Sequence, residues 1–343
     1  MKKVKQKRKF DFTQFVIFMG VISVATVVAV NIVSSNIRDQ VIPLFPKKAS
    51  KRIRTSSRQG TFMLLKNLNF RLSDNIDLSI KNMFAEAVPK KPNKMVNFDD
   101  VNSFAIDIFD AEVTLPIRVM EVLFNDYVFN YPGSQLKNLK MKVIDFEVDG
   151  GKKEKRLKLT GDMKLVFWIG FEMIAKITLD PKNVLLLIEA ESIKALGLPS
   201  KGMLGLLGLY LEKLLTVPYG RGVSIKKNTI TIDPFAIFPP PQIGGYITKI
   251  KLGKNSLFLK FTNTFKLKFP PLPDKKAKNY LFLYKGDVKF GKLFMVDARL
   301  QMVDNDPKDP FDFYLKNYSG PLSKGKSKIR RNGSVIAYIP DYK

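Results

Sequence analysis

Hydrophobic and polar residues alternate along most of the chain, and a period of two predicts a mainly β protein with a few helices. The longest instance is "RLKLTGDMKLVFWIGFEMIAKITL", Arg156 to Leu179. Leu157, Leu159, Met163, Leu165, Phe167, Ile169, Phe171, Met173, Ile177 and Leu179 share its apolar face, opposite Lys158, Thr160, Asp162, Lys164, Glu172 and Lys176. As one strand it would span about 80 Å at roughly 3.3 Å per residue. The lapse of alternation at Trp168-Ile169-Gly170 instead predicts two strands joined by a turn. Strands of this length twist, so we expect a long, strongly curved antiparallel sheet wrapped around an apolar helix.

Further strands are predicted in "TFMLLKNLNFRL", "IDLSIKNMF" and "VNSFAIDIFDAEVTL", where Phe104, Ile106 and Ile108 are in phase. The period then becomes helical in "TLPIRVMEVLFNDYVF", with Thr114 as cap, Pro116 in the first turn, and Tyr131-Pro132-Gly133 as the stop. In "LKNLKMKVIDFEV" the apolar phase slips by one residue, the mark of a β-bulge, and "DGGKKEK" turns the chain back as a hairpin. The apolar helix is expected in "PSKGMLGLLGLYLEKLL", where Gly202, Gly205 and Gly208 clear one face for close approach. Beyond it, "GVSIKKNTITIDPFAIFPPPQIGGYITKIKLGKNSLFLKFTN" carries at least three strands, with turns at Gly244-Gly245 and Gly253-Lys254-Asn255. After "KFPPLPDKKAKN" come more strands, a short helix in "DPFDFYLKNY" capped by Asp309, and a last strand in "GSVIAYIP".

One stretch fits neither period. Residues 15–35 are uncharged over 21 positions, about 31 Å as a helix and long enough to cross a bilayer. A cleavable signal peptide ending at Ala25 is the rival; apolar residues continuing through Val33 favour an uncleaved anchor. Lysines and arginines flank the run on both sides. The short basic tail, costly to translocate, places the N-terminus in the cytoplasm and the body outside the inner membrane. The expected organisation is a cytoplasmic tail (1–14), the anchor (15–35), a basic linker (36–59), the curved sheet domain (60–262) and a smaller β-rich segment (263–343).

Charge and composition narrow the chemistry. Of a net charge of +27, residues 1–58 carry +11. Lys47, Lys48, Lys51, Arg52, Arg54 and Arg58 then read either as a solvated linker or as a strip that binds lipid headgroups. No nucleic-acid motif accompanies the charge. Cysteine and histidine are absent, which excludes thiolate nucleophiles, His-based triads and nearly all zinc or haem ligation; no cofactor is expected. Asp304, Asp306 and Asp309 offer oxygens for calcium but lack the EF-hand pattern, and turn or cap duty accounts for most of them. "GDVKFGKL", Gly286 to Leu293, has P-loop spacing but puts Leu293 where a hydroxyl must reach magnesium. It reads as strand and turn.

The long bent sheet, together with "GLPSKGMLGLLGLYLEKLL" and "PPPQIGGYITKIKL" after a membrane anchor, resembles the tubular lipid-binding (TULIP-like) superfamily over about residues 60–262. That resemblance implies a non-catalytic protein that holds acyl chains of membrane lipids in a groove. The groove would be walled by Leu165, Phe167, Ile169, Phe171 and Met173 and by Met203, Leu204, Gly205, Leu207 and Gly208. Two other classes stay open: a scaffold docking another envelope protein, and a hydrolase with widely spaced carboxylates.

Overall fold

The computed structural model describes residues 60–148, 150–165, 167–196, 210–262 and 269–342. The expected anchor and linker and most of the apolar helix lie outside them. No helix among the described residues is long and apolar enough to cross a membrane. The chain is mainly β, as the alternation predicts. It forms two large sheets and one small one, and neither large sheet is strongly curled, in contrast to the single wrapped sheet expected.

The six-stranded sheet is an antiparallel meander of β5 (Leu136–Val148), β6 (Lys152–Lys164), β7 (Trp168–Asp180), β8 (Leu185–Ala195), β9 (Val223–Lys226) and β10 (Thr229–Ile232). Its order is β5-β6-β7-β8-β10-β9. The long alternating stretch is thus two strands joined at residues 165–167, close to the predicted break. Gly150 and Gly151, both at positive φ, turn β5 into β6. The bulge lies between Lys137 and Lys140, with Asn138 at φ +54°, and not at the phase slip. Beyond Val143, which still packs on the core, neither face of the strand is fully buried, so the slip there reflects loss of a buried side.

The eleven-stranded sheet is mixed. Its centre is three long strands, β1 (Thr61–Ser73), β2 (Ile76–Pro89) and β4 (Phe104–Pro116), and two of them change neighbours halfway. The outer edge of β1 pairs antiparallel with β14 (Tyr280–Tyr284) through Lys66, then parallel with β18 (Phe311–Tyr314) from Leu68. Asn67 at φ +50° sits at the handover and donates to Asn279 Oδ1 at 2.7 Å. Likewise β4 pairs parallel with β11 (Gln242–Gly245), then antiparallel with β13 (Ser256–Thr262), which carries β12 (Ile247–Leu252). Outside β14 follow β17 (Arg299–Asp304), β20 (Val335–Ile339) and β19 (Lys326–Ile329). Strands from residues 280–339 therefore complete the sheet begun at Thr61. The helix expected at Asp309 is instead strand β18: the open edge of β1 takes Phe311 and Phe313 into the core, and Arg71 Nε holds Asp312 at 2.7 Å.

The helix after β4 forms as α1 (Ile117–Val122) and continues as a π-helical turn, Leu123–Val128. It starts later than Thr114 because β13 pairs with β4 through Pro116. Its polar side chains close the free edge of the meander. Glu121 accepts from Met141 N–H at 2.6 Å, and Asn125 both accepts from Leu139 N–H and donates to Leu139 C=O, at 2.9 and 2.8 Å. Of the expected apolar helix, only its last turn, α2 (Leu211–Leu214), is described.

Buried side chains of both large sheets belong to one continuous cluster, including Met63, Leu65 and Leu68 of β1, Leu157 and Leu159 of β6, and Phe171 and Met173 of β7. The mixed sheet is apolar on its other face too, where Phe84 packs on Phe62, Phe109 and Phe269. Burial on both faces explains why "FAIDIF" is a nearly unbroken apolar run. The third sheet, β16-β15-β3, joins β3 (Val96–Asn97), β15 (Val288–Phe290) and β16 (Leu293–Met295). The P-loop-like stretch is this hairpin, strand and turn as predicted.

Candidate functional site

The residues expected to wall a groove divide into two groups. Phe171 and Met173 are packed in the core cluster and Ile169 is buried. Leu165 lies in the β6–β7 turn and Phe167 beside it is 54% exposed, because two strands shorter than the full stretch leave these residues at the bend. Met203, Leu204, Gly205, Leu207 and Gly208 lie outside the described residues, as do Lys47, Lys48, Lys51, Arg52, Arg54 and Arg58.

An apolar cavity lies elsewhere, between the inner face of the mixed sheet and the segment following β10. Ile106 and Ile108 of β4 and Ile243 and Phe261 of the neighbouring strands wall it, and Phe235 and Phe238 cover it. Its volume is about 40 Å³, well below the roughly 150 Å³ that admits a benzene ring in an engineered core. The covering segment is fastened at its start. Asp233 is buried, donates its N–H to Gly222 C=O at 2.7 Å and accepts from Phe235 N–H at 2.9 Å. Burial pushes its carboxyl above the usual range, and the hydrogen bonds pull the other way. Alternation in β11 to β13 is the sequence signal for this cavity, but the covering phenylalanines sit in a turn with no period.

The acidic cluster forms from a different set than expected. Asp304, Asp309 and Asp341 bring carboxylate oxygens within 4.8 Å of one another, whereas Asp306 turns to Lys308 N–H at 3.2 Å. Asp341 escapes a sequence window because the parallel pairing of β17 with β20 aligns Asp304 with Ile339. Burial, reinforced by neighbouring aspartates, pushes the Asp341 carboxyl up to about 6, and burial raises Asp304 too. Three carboxylates supply half of the six oxygens a hard cation takes at minimum. Two already receive donors from the chain: Asn279 Nδ2 and Asp306 N–H reach Asp304 at 3.0 and 2.8 Å, and Asp312 N–H reaches Asp341 at 2.7 Å. These bonds fasten the C-terminal strands.

Elsewhere, ionisable groups within the sheets meet charge partners or each other. Arg156, 5% exposed, is held by Glu191 and Glu154 at 2.7 and 3.0 Å. Glu86 stands opposite Asp107 on the next strand; burial first and that like charge second push its carboxyl up to about 7. Asp107 has a partner of its own.

Compared with protein-family models, curated proteins and solved structures, the chain matches none.

Proposed function

We propose that this protein is a non-catalytic scaffold of the cell envelope, anchored in the inner membrane by residues 15–35 with its β body outside, and docking another envelope protein. One observation carries the reading. The apolar side chains of β6 and β7 belong to one core cluster with those of the mixed sheet, with Leu159 and Phe171 at 1% and 2% exposure, so apart from Leu165 and Phe167 at the bend that face is taken up by the molecule's own core. The uncharged run and its basic flanks support the anchor.

Lipid binding is the second reading. Its specific support is the apolar cavity beneath Phe235 and Phe238, which a lipid could enlarge by displacing that segment. Native mass spectrometry of the full chain, extracted in detergent, separates the two. A scaffold runs at the mass of the polypeptide alone. A phospholipid retained one per chain, and lost when Ile106→Trp fills the cavity, would overturn the scaffold reading.

A further inference from the structure

The three-stranded sheet carries an apolar edge that the interior does not use. Its register aligns Val96, Val288 and Met295 in one row, with Phe290 packed inward on Phe98 and Tyr318. Strand β16 is the outer strand, and only Met295 of its three side chains packs on the core: Phe294 is 62% exposed and Val296, just beyond its end, 84%, with Leu293 and Met95 also exposed. Isolated apolar side chains on a surface are ordinary, but a cluster at one edge marks an interaction site.

Lysines outnumber acids around this edge. Lys90, Lys91 and Lys94 in the β2–β3 connection and Lys292 in the β15–β16 turn are exposed, and none has an ion pair among the described residues. One of the neighbouring acids is matched by a cation: Asp99 accepts from Lys289 at 3.1 Å, as well as from the Tyr318 hydroxyl and from Gly291 N–H at 3.2 Å. Asp287 accepts from Asp297 N–H and Asp100 from Asn102 N–H, but backbone donors leave their charge in place, and Asp100 and Asp297 are exposed. The four lysines therefore stand against Asp100, Asp287 and Asp297, a small basic excess.

We propose that this edge docks on an anionic lipid bilayer. Phe294 and Val296 enter the boundary between headgroups and acyl chains, and Lys91, Lys94 and Lys292 meet the headgroup phosphates. An apolar tip within a collar of flexible ammonium groups matches the layering of a bilayer surface. The contact goes beyond the scaffold reading and does not rest on it, since it requires neither the anchor nor an empty cavity.

The chain's single tryptophan, Trp168, lies in the meander, so a second one can report on the edge. The full chain carrying Phe294→Trp is reconstituted into vesicles of phosphatidylcholine, with or without about a third phosphatidylglycerol, whose acyl chains are brominated. Wild type supplies the Trp168 background, and Val296→Trp repeats the measurement at a second exposed position. The expected result is added emission that shifts to the blue and is quenched in anionic vesicles. Most of that quenching is lost in neutral vesicles or with Lys91→Glu, Lys94→Glu and Lys292→Glu combined. Added emission that stays unquenched in anionic vesicles overturns the proposal. So does emission already blue before lipid is present, which would mean that another part of this chain or a second copy covers the edge. Quenching that is indifferent to lipid charge and to the lysine reversals overturns it as well.

Discussion

The two large sheets are built from strands of similar length by opposite rules. In the meander each of the first three strands pairs with the next in sequence at the cost of a short loop, and only β8 skips a strand to pair with β10. In the mixed sheet β1 meets strands more than 200 residues away, and β1 and β4 each exchange one neighbour for another halfway along. The lesson is that a long alternating strand specifies its buried face but not its partners. Partners follow from whichever edges remain open once the local hairpins have formed.

The largest expected effect tests whether the sheets share one core in energy as well as in space. Phe313 of β18 in the mixed sheet is buried against Phe70, Phe290 and Tyr318, and Phe171 is its counterpart in the meander. Phe313→Ala and Phe171→Ala should each cost about 3–5 kcal/mol, and each should lower one common transition in chemical denaturation. Two separate transitions would mean that the sheets fold independently.

A smaller effect tests the handover on β4. Gly245 has φ +151°, and a methyl group there would lie 2.9 Å from Ile108 O and 3.0 Å from the Phe261 ring. Gly245→Ala should cost about 1–3 kcal/mol. In the meander, Gly150 has φ +81° but nothing within 4 Å, so Gly150→Ala should cost only its left-handed backbone, about 1 kcal/mol. Equal losses in denaturant midpoint would show that the handover is no tighter than a hairpin turn.

The sheets should also answer pH in opposite senses. Glu86 of the mixed sheet has its carboxyl raised to about 7, so the folded state holds a proton that the unfolded chain releases near 4.5. Its contribution is greatest below pH 4.5 and is lost as pH rises through 7. Glu86→Gln should therefore stabilise the fold at pH 8, by on the order of 1 kcal/mol once solvent screening is allowed for, and so raise its melting temperature there while leaving it unchanged at pH 4. In the meander, the Lys158 ammonium holds the Glu172 carboxyl below its usual range. That stability is present above pH 4.5 and fades as pH falls through the lowered value, so Lys158→Met should destabilise at pH 7 and not in acid. Melting curves at three pH values decide both, and parallel profiles for the two variants would contradict the contrast.

Legibility follows the same division. The β6–β7 turn, the β5–β6 hairpin and the helix after β4 were readable because each depends on residues within about fifteen positions. The nature of β18 was not: Asp309-Pro310 is a sound local helix start, yet the unpaired edge of β1 and the burial of Phe311 and Phe313 outweigh it. The acidic cluster was half visible, since Asp304 and Asp309 are near in sequence and Asp341 joins them only through a parallel pairing. Among the expected groove residues, periodicity identified the buried face of Phe171 and Met173, but it could not tell a face that meets a guest from one packed into the molecule's own core.

The smallest effect concerns surface charge, where the two sheets should not differ. Lys81 meets Glu112 at 3.1 Å on the mixed sheet, and Lys155 meets Asp145 at 2.8 Å on the meander. Each pair shows in a lowered carboxyl, chiefly through the hydrogen bond from its lysine. Both carboxylates are open to solvent, where water and salt replace a lost partner at little cost. Glu112 keeps Lys260 at 3.7 Å when Lys81 is removed, while Asp145 has Lys153 as a further positive neighbour. Lys81→Ala and Lys155→Ala should each leave the melting temperature unchanged at physiological ionic strength. A clear loss from Lys155→Ala alone would mean that the β5–β6 hairpin, which leaves the core after Val143, depends on cross-strand charge where the rest of the molecule depends on burial.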